Sequence, residues 1–242
     1  MSEPLDSYVE AYDKNFAYAF DNELMLNWYP QRIIERLPST ARLLELGVGH
    51  GYTTKRFAEH FARTVVVDGS AAVIARFRHE FPECPAQIVE SYFETFETDE
   101  RFDVIVMGFV LEHVENPELV LRHFSRYLAP GGRCFIAVPN GESMHRRLGQ
   151  LAGLLDDVMS LGPGDLALGH LRQYSKASLT AQLKSAGYEV QEMEGIFLKP
   201  FTTQQLQALS LPESVIKALC QLGVAYPELS CALLAEVVPS RL

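Results

Sequence analysis

Residues 43–54 read "LLELGVGHGYTT", and this stretch decides the fold. Leu43, Leu44 and Leu46 make a short apolar run of the kind that forms a buried strand, and Gly47, Gly49 and Gly51 then break it at alternate positions. A strand that ends in a glycine turn and opens a helix lets a ligand approach the backbone closely, while the helix start favours negative charge. The loop is not the dinucleotide pattern G-x-G-x-x-G, because Tyr52 stands where the third glycine belongs. Glu45, two residues before the first glycine, tends to repel a pyrophosphate. It suits a ligand with a cationic amino group and a sulfonium.

Outward from the loop, the chain keeps alternating. "ARLLEL", "TVVVD", "AQIVE", "FDVIVMG" and "GRCFIAVP" are apolar, β-branched runs, and most are separated by segments of helical length. That rhythm predicts an α/β domain with a largely parallel sheet covered on both faces. Ser70 is placed to cap the helix after the second strand, and Asn116-Pro117-Glu118 supplies a cap, a first-turn proline and a first-turn acid after the fourth. "SKASLTAQLKSAG" reads as a helix capped by Ser175 and stopped by Gly187, with "YEVQEMEG" and "CALLAEVV" as the last strands.

Asp68 ends the second strand, 17 residues beyond Gly51, where a carboxylate accepts hydrogen bonds from both hydroxyls of a ribose. Gly69 and Ser70 share its turn. Glu90 and Ser91, at the end of the third strand, are placed to meet an adenine.

Four segments together, "ELGVGHG", "VVVDGS", "FDVIVMGFVLEHVENPELVL" and "LAPGGRCFIAVPN", resemble the class I S-adenosylmethionine-dependent methyltransferases. The subgroup the chain most resembles is that of the ubiquinone-biosynthesis and sugar-modifying small-molecule enzymes, and the resemblance covers about residues 40–195. It implies a Rossmann-like seven-stranded sheet in the order 3-2-1-4-5-7-6, the last strand antiparallel. The implied cofactor is S-adenosylmethionine, released as S-adenosylhomocysteine. Glu45, Gly47, Gly49 and Gly51 then line its methionine part, Asp68 its ribose, Ser91 and Tyr92 its adenine, and Met107 and Gly108 border the sulfonium.

A hydroxyl acceptor must lose a proton as it is methylated, so histidines near the fourth strand's end are candidate bases. His113 comes first, with an expected ionisation between about pH 6 and 7.5; His145 and His170 come next. Arg146, Arg147, Arg172 and Tyr174 cluster around the same region and are candidates to hold an anionic acceptor. "VMGFVLEHV" lacks the acidic ligands of a magnesium-dependent catechol-type site, and no carboxylate or cysteine cluster is visible at the strand ends. No metal is therefore expected, and activity should survive a chelator.

Three regions stand outside the core. Residues 1–39 hold an aromatic stripe, Tyr8, Tyr12, Phe16 and Phe20, which with Trp28 reads as a helical lid; Tyr12 and Trp28 are its candidate substrate contacts. Residues 139–174 form a glycine-rich insertion, and residues 196–230 a helical cap between the last two strands, which occupy 175–195 with its helix and 231–238. Residues 40–138 are the cofactor-binding core, and the whole chain is read as a single domain.

Composition sets the outer limits. The 242 residues carry a formal charge of −10, with 21 basic against 31 acidic side chains, which disfavours a nucleic-acid partner and leaves a small-molecule acceptor. Apolar runs are too short to span a bilayer, and the N-terminus lacks a secretion pattern, so a cytoplasmic, membrane-free protein is expected, of undecided oligomeric state. Cys84, Cys134, Cys220 and Cys231 have no paired spacing and are expected as reduced, packed thiols. The competing readings are a non-catalytic S-adenosylmethionine-binding partner subunit and a nicotinamide-dependent oxidoreductase, the latter opposed by Glu45 and Tyr52.

Overall fold

The computed structural model describes residues 19–240. Seven strands form one sheet: β1 (Arg42–Leu46), β2 (Arg63–Asp68), β3 (Gln87–Glu90), β4 (Phe102–Gly108), β5 (Leu128–Pro139), β6 (Tyr188–Ile196) and β7 (Ala232–Pro239). Their order is β3-β2-β1-β4-β5-β7-β6, and β7 pairs antiparallel with both neighbours. This is the expected order, and it places the ends of β1, β2 and β4 side by side: Leu46 pairs with Val67 and with Met107. The ligand crevice of such a sheet lies at these carboxyl ends.

Strict alternation within β1, β2 and β4 sends side chains to two cores. Leu44, Leu46, Val65, Val67, Ile105 and Met107 pack under helices α4 (Pro117–Ser125) and α7 (Lys176–Ser185). Leu43, Val104 and Val106 face the other side, against α1 (Ala19–Ile34) and α2 (Tyr52–His60). Glu45 shares that second face and is carried into the interior by the register. The caps form as read: the Ser70 side chain accepts from the Val73 N–H at the start of α3 (Ala71–Glu80), Asn116 from Leu119, and Ser175 from Ser178.

Helix α1 is packed more firmly than a lid. Met25, Tyr29 and Ile33, at i, i+4 spacing, are buried in the second core with Trp28 partly buried beside them. Tyr8, Tyr12 and Phe16 lie outside the described residues. The insertion holds α5 (Met144–Leu151) and α6 (Pro163–Ala167), neither with a buried residue, and the cap holds α8 (Thr203–Ala208) and α9 (Glu213–Val224). All four cysteines are free, and Cys134 and Cys220 are fully buried. Among the described residues no helix is long and apolar enough to cross a membrane.

Candidate functional site

The glycine loop turns at three left-handed positions, with φ of 82° at Gly47, 52° at Gly49 and 81° at Gly51. Gly51 has a second reason to lack a side chain: a Cβ there would sit 2.6 Å from the Phe77 ring of α3. Over Gly47 the space is open, since a Cβ would meet only Val110, at 3.9 Å. The loop is thus closed behind and open in front.

Asp68 ties this loop to β2. One carboxylate oxygen accepts from the Val48 N–H at 2.8 Å and the other from the Ser70 N–H at 2.8 Å. These two bonds hold the carboxylate at the loop's edge, where the second strand ends. Gly69 bridges Asp68 to Ser70, whose hydroxyl is spent on the α3 cap. The Asp68 carbonyl accepts from the Ser91 N–H at 3.0 Å, which brings the end of β3 alongside, with Glu90 and Tyr92 exposed there.

Glu45 is buried, with both oxygens engaged: Thr53 donates at 2.5 Å and Thr54 at 2.6 Å, both from the first turn of α2. Burial raises its pKa to about 7, against the two hydroxyl bonds, and the charge of Asp68 adds to the rise. It anchors the loop from behind rather than facing solvent. Tyr29 of α1, next in sequence to the lid candidate Trp28, stands beside it. Its hydroxyl would lie 2.0 Å from a Cβ placed on Gly108, so Gly108 is a glycine because α1 crosses directly over the end of β4. Burial, then the Glu45 charge, push the Tyr29 phenol well above its ordinary pKa and keep it neutral. Met107 is fully buried on the opposite face, so only its backbone reaches the edge.

After β4 the chain turns through Phe109, a non-glycine residue at φ 58°. Strain of that kind persists where surrounding structure enforces it, often at ligand sites. The Phe109 ring meets Tyr29 edge-on at 5.8 Å. The same turn delivers Glu112 and His113 to the edge. His170, 57 positions after His113, comes back to the same place because Leu171 N–H donates to the Glu112 carbonyl at 2.8 Å. The His113 and His170 rings stand perpendicular, centroids 4.7 Å apart.

Two expectations are corrected here. His113 does not sit in the ordinary histidine range: burial of its inner edge, then the charge of His170, lower its pKa, opposed by a hydrogen bond with the Gly169 backbone. A carboxylate–histidine cluster does exist at a strand end: one donor atom from each of Glu112, His113 and His170 lies within 4.8 Å of the others. It escaped the sequence because two of its members are adjacent and the third is a full insertion away.

His145 lies 3.2 Å from the Ser143 hydroxyl, and burial, then the charges of Lys199 and Arg146, lower its pKa to about 3. The arginines are spent on the fold. Arg172 donates to the carbonyls of Leu111, Val114 and Glu115, and Arg146 to those of Val158 and Ser160. Arg147 donates to the Glu142 carbonyl, while the buried Tyr174 hydroxyl donates to Gln182 at 2.6 Å. These four residues staple the insertion rather than present a basic patch.

A seven-stranded sheet of this order, with a glycine loop after β1 and an acid after β2, defines a class I nucleotide-cofactor fold. Comparison with known proteins fixes the family: residues 19–193 match the methyltransferase domain model, and the chain belongs to the S-adenosylmethionine-dependent methyltransferases. It is 25% identical to the ubiquinone biosynthesis O-methyltransferase of Xanthomonas axonopodis pv. citri, covering 68% of this chain and 69% of that one. It is 28% identical to the tRNA 5-carboxymethoxyuridine methyltransferase of Escherichia coli, covering 68% and 66%. Among solved structures, the 1,6-didemethyltoxoflavin-N1-methyltransferase of Burkholderia thailandensis, with its substrate and S-adenosylhomocysteine bound, superposes with a TM-score of 0.64 at 16% identity, over 98% of this chain and 85% of that one.

The residues present fit the cofactor. The loop is open over Gly47, and the Asp68 carboxylate stands at its edge, where its charge suits a ligand whose ammonium and sulfonium are both positive.

Proposed function

We propose that the protein transfers the methyl group of S-adenosylmethionine to an oxygen or nitrogen of a small metabolite. The cofactor supplies a methyl carbon already activated by its positive sulfur. The chain's task is to align an acceptor with it, exclude water and take up a proton. Gly47, Gly49 and Gly51 bind the methionine part from the backbone, Asp68 the ribose, and Ser91 and Tyr92 the adenine. Tyr29 and Phe109 wall the end of β4. The acceptor enters past His113, and a hydroxyl proton leaves toward the histidine pair.

The observation that supports a small acceptor is the charge at the edge. Glu90, Glu112 and Asp68 stand there, while Arg146, Arg147 and Arg172 are committed to main-chain carbonyls or to Glu142. A phosphate backbone needs several uncommitted cations. The same commitment removes the ground for an anionic acceptor. Family membership disfavours a purely non-catalytic binding subunit.

The test is transfer of labelled S-adenosylmethionine into two pools, a small-metabolite extract and purified tRNA. Label in a low-mass product is expected. Label confined to tRNA would overturn the small-acceptor reading while leaving the cofactor in place.

A further inference from the structure

Glu112 is fully buried, and among the described residues neither of its carboxylate oxygens accepts a hydrogen bond. Buried carboxylates are ordinarily paired, hydrogen-bonded or bound to a metal. Glu112 faces two imidazoles. His170 is buried, and its Nδ1 lies 3.5 Å from Asp165 Oδ1, too far for a well-formed hydrogen bond. His113 completes the group and is its one exposed member.

We propose that Glu112, His113 and His170 hold a divalent transition-metal ion such as zinc or manganese at the end of β4. A carboxylate and two imidazoles are ligands such ions accept, whereas magnesium favours oxygen alone. Separations of up to 4.8 Å between donor atoms exceed those around a bound ion, whose bonds are about 2.0–2.2 Å long, and side-chain rotation closes the difference. Asp165, 3.5 Å from Nδ1 of His170, would close on that nitrogen once Nε2 holds the ion, as carboxylates commonly do for metal-binding histidines. The exposed edge of His113 is the entry path. Three protein ligands leave a position for an acceptor oxygen, which makes a hydroxyl acceptor the better match. That last step rests on the proposed function, whereas ion binding stands without it. The proposal reverses the expectation that a chelator leaves activity intact.

The experiment uses the full chain, stripped with a chelator and desalted, with S-adenosylhomocysteine present. Titration with cobalt(II) should give visible absorption of histidine–carboxylate coordination at one ion per chain. Zinc should raise the melting temperature of the native protein. Glu112→Gln and His170→Ala should each weaken zinc binding by about 100-fold or more, the upper range known for supporting residues being a floor for ligands. Without metal, Glu112→Gln should melt at or above the native temperature, because it removes a buried carboxylate that accepts no hydrogen bond among the described residues. Its melting shift with S-adenosylhomocysteine should persist, which shows a folded cofactor site. Zinc or cobalt binding that survives in either variant would overturn the proposal and assign the ion to surface groups. So would absent binding in the native protein, or a Glu112→Gln variant that melts well below it without metal, since Glu112 would then be a structural partner of His170. None of these results touches the small-acceptor reading, which the labelling pools decide separately.

Discussion

The two halves of the site are built differently. On the cofactor side, Glu45 and Asp68 have both oxygens of each carboxylate engaged by the protein, and the loop they anchor is fixed before any ligand arrives. On the acceptor side, Glu112 has neither oxygen engaged among the described residues, and the neighbouring insertion exposes Leu151 at 86% and Leu154 at 83%. The difference teaches where the work of folding ends. Carboxylates on the first side hold the protein together, while Glu112 on the second is left for something the protein binds. Substitutions should therefore cost stability on one side and turnover on the other.

The sharpest way to break this contrast is at His113. His113→Ala should lower kcat by about 10²–10⁴-fold, a loss expected whether the ring takes the proton or holds the proposed ion, and leave S-adenosylmethionine binding within about threefold. Without metal, its melting temperature should stay near that of the native protein, since His113 is exposed. Steady-state kinetics with an identified acceptor, alongside calorimetric titration of the cofactor, separate the two effects. A variant that melts early but turns over normally when folded would put His113 on the structural side.

Glu45 gives the opposite test. Its folded pKa, about 7, lies above the ordinary glutamate value of 4.5, so burial favours the protonated form. Below pH 4.5 the group is neutral in both states and has no effect. As pH rises toward 7 the unfolded chain ionises first, and stability falls. The rise from 4.5 to about 7 corresponds to roughly 3 kcal/mol. Glu45→Gln keeps one acceptor and offers a donor to the two threonines without the charge. Urea unfolding of both proteins between pH 5 and 8 should show the native protein losing ground to the variant as pH rises. Parallel curves would mean that Glu45 stays charged throughout.

At Asp68 the two functions of the cofactor side meet. Asp68→Ala should weaken S-adenosylhomocysteine binding by about 1.5–3 kcal/mol, the range for a lost bond to a charged group, and also lower the melting temperature by freeing Val48 and Ser70. Asp68→Asn retains an acceptor for one of those N–H groups and should recover part of the stability but less of the affinity. Equal recovery of both would merge the loop tie and the ligand contact into one effect.

How much of this was legible follows from the same contrast. The cofactor side is local: β1, the loop, α2 and Asp68 fall within residues 42–68, and register alone brings the ends of β1 and β2 together. Glycine spacing and one acid therefore exposed it, together with the strand order that the family implies. Thr53 and Thr54, directly after the loop, were readable as partners for Glu45 and were missed because a charged ligand seemed the better use for it. The acceptor side is assembled from α1, the turn after β4 and a segment beyond the insertion. Tyr29 reaches Gly108 across about 80 positions of chain, and no short-range pattern encodes that crossing. Arginine density near residue 146 was visible, but its donors point to main-chain carbonyls, whose positions exist only in the fold.

The smallest expected effect lies in the insertion. Leu151 and Leu154 are almost wholly exposed, at the end of α5 and just beyond it, so they contribute little to the core. Surface changes away from caps and partners usually stay within about 0.5 kcal/mol. The double substitution Leu151→Ser with Leu154→Ser should therefore leave the unfolding free energy unchanged within that margin, and leave S-adenosylhomocysteine binding untouched. If these leucines serve the acceptor, KM for an apolar acceptor should rise while kcat holds, because only binding shared by ground state and transition state is lost. Melting should be measured at two protein concentrations about tenfold apart. A loss of stability beyond 0.5 kcal/mol that grows with concentration would show the leucines buried between copies of the chain. The contrast between the halves would then be one of assembly, with the acceptor side finished by a neighbour and not by a ligand.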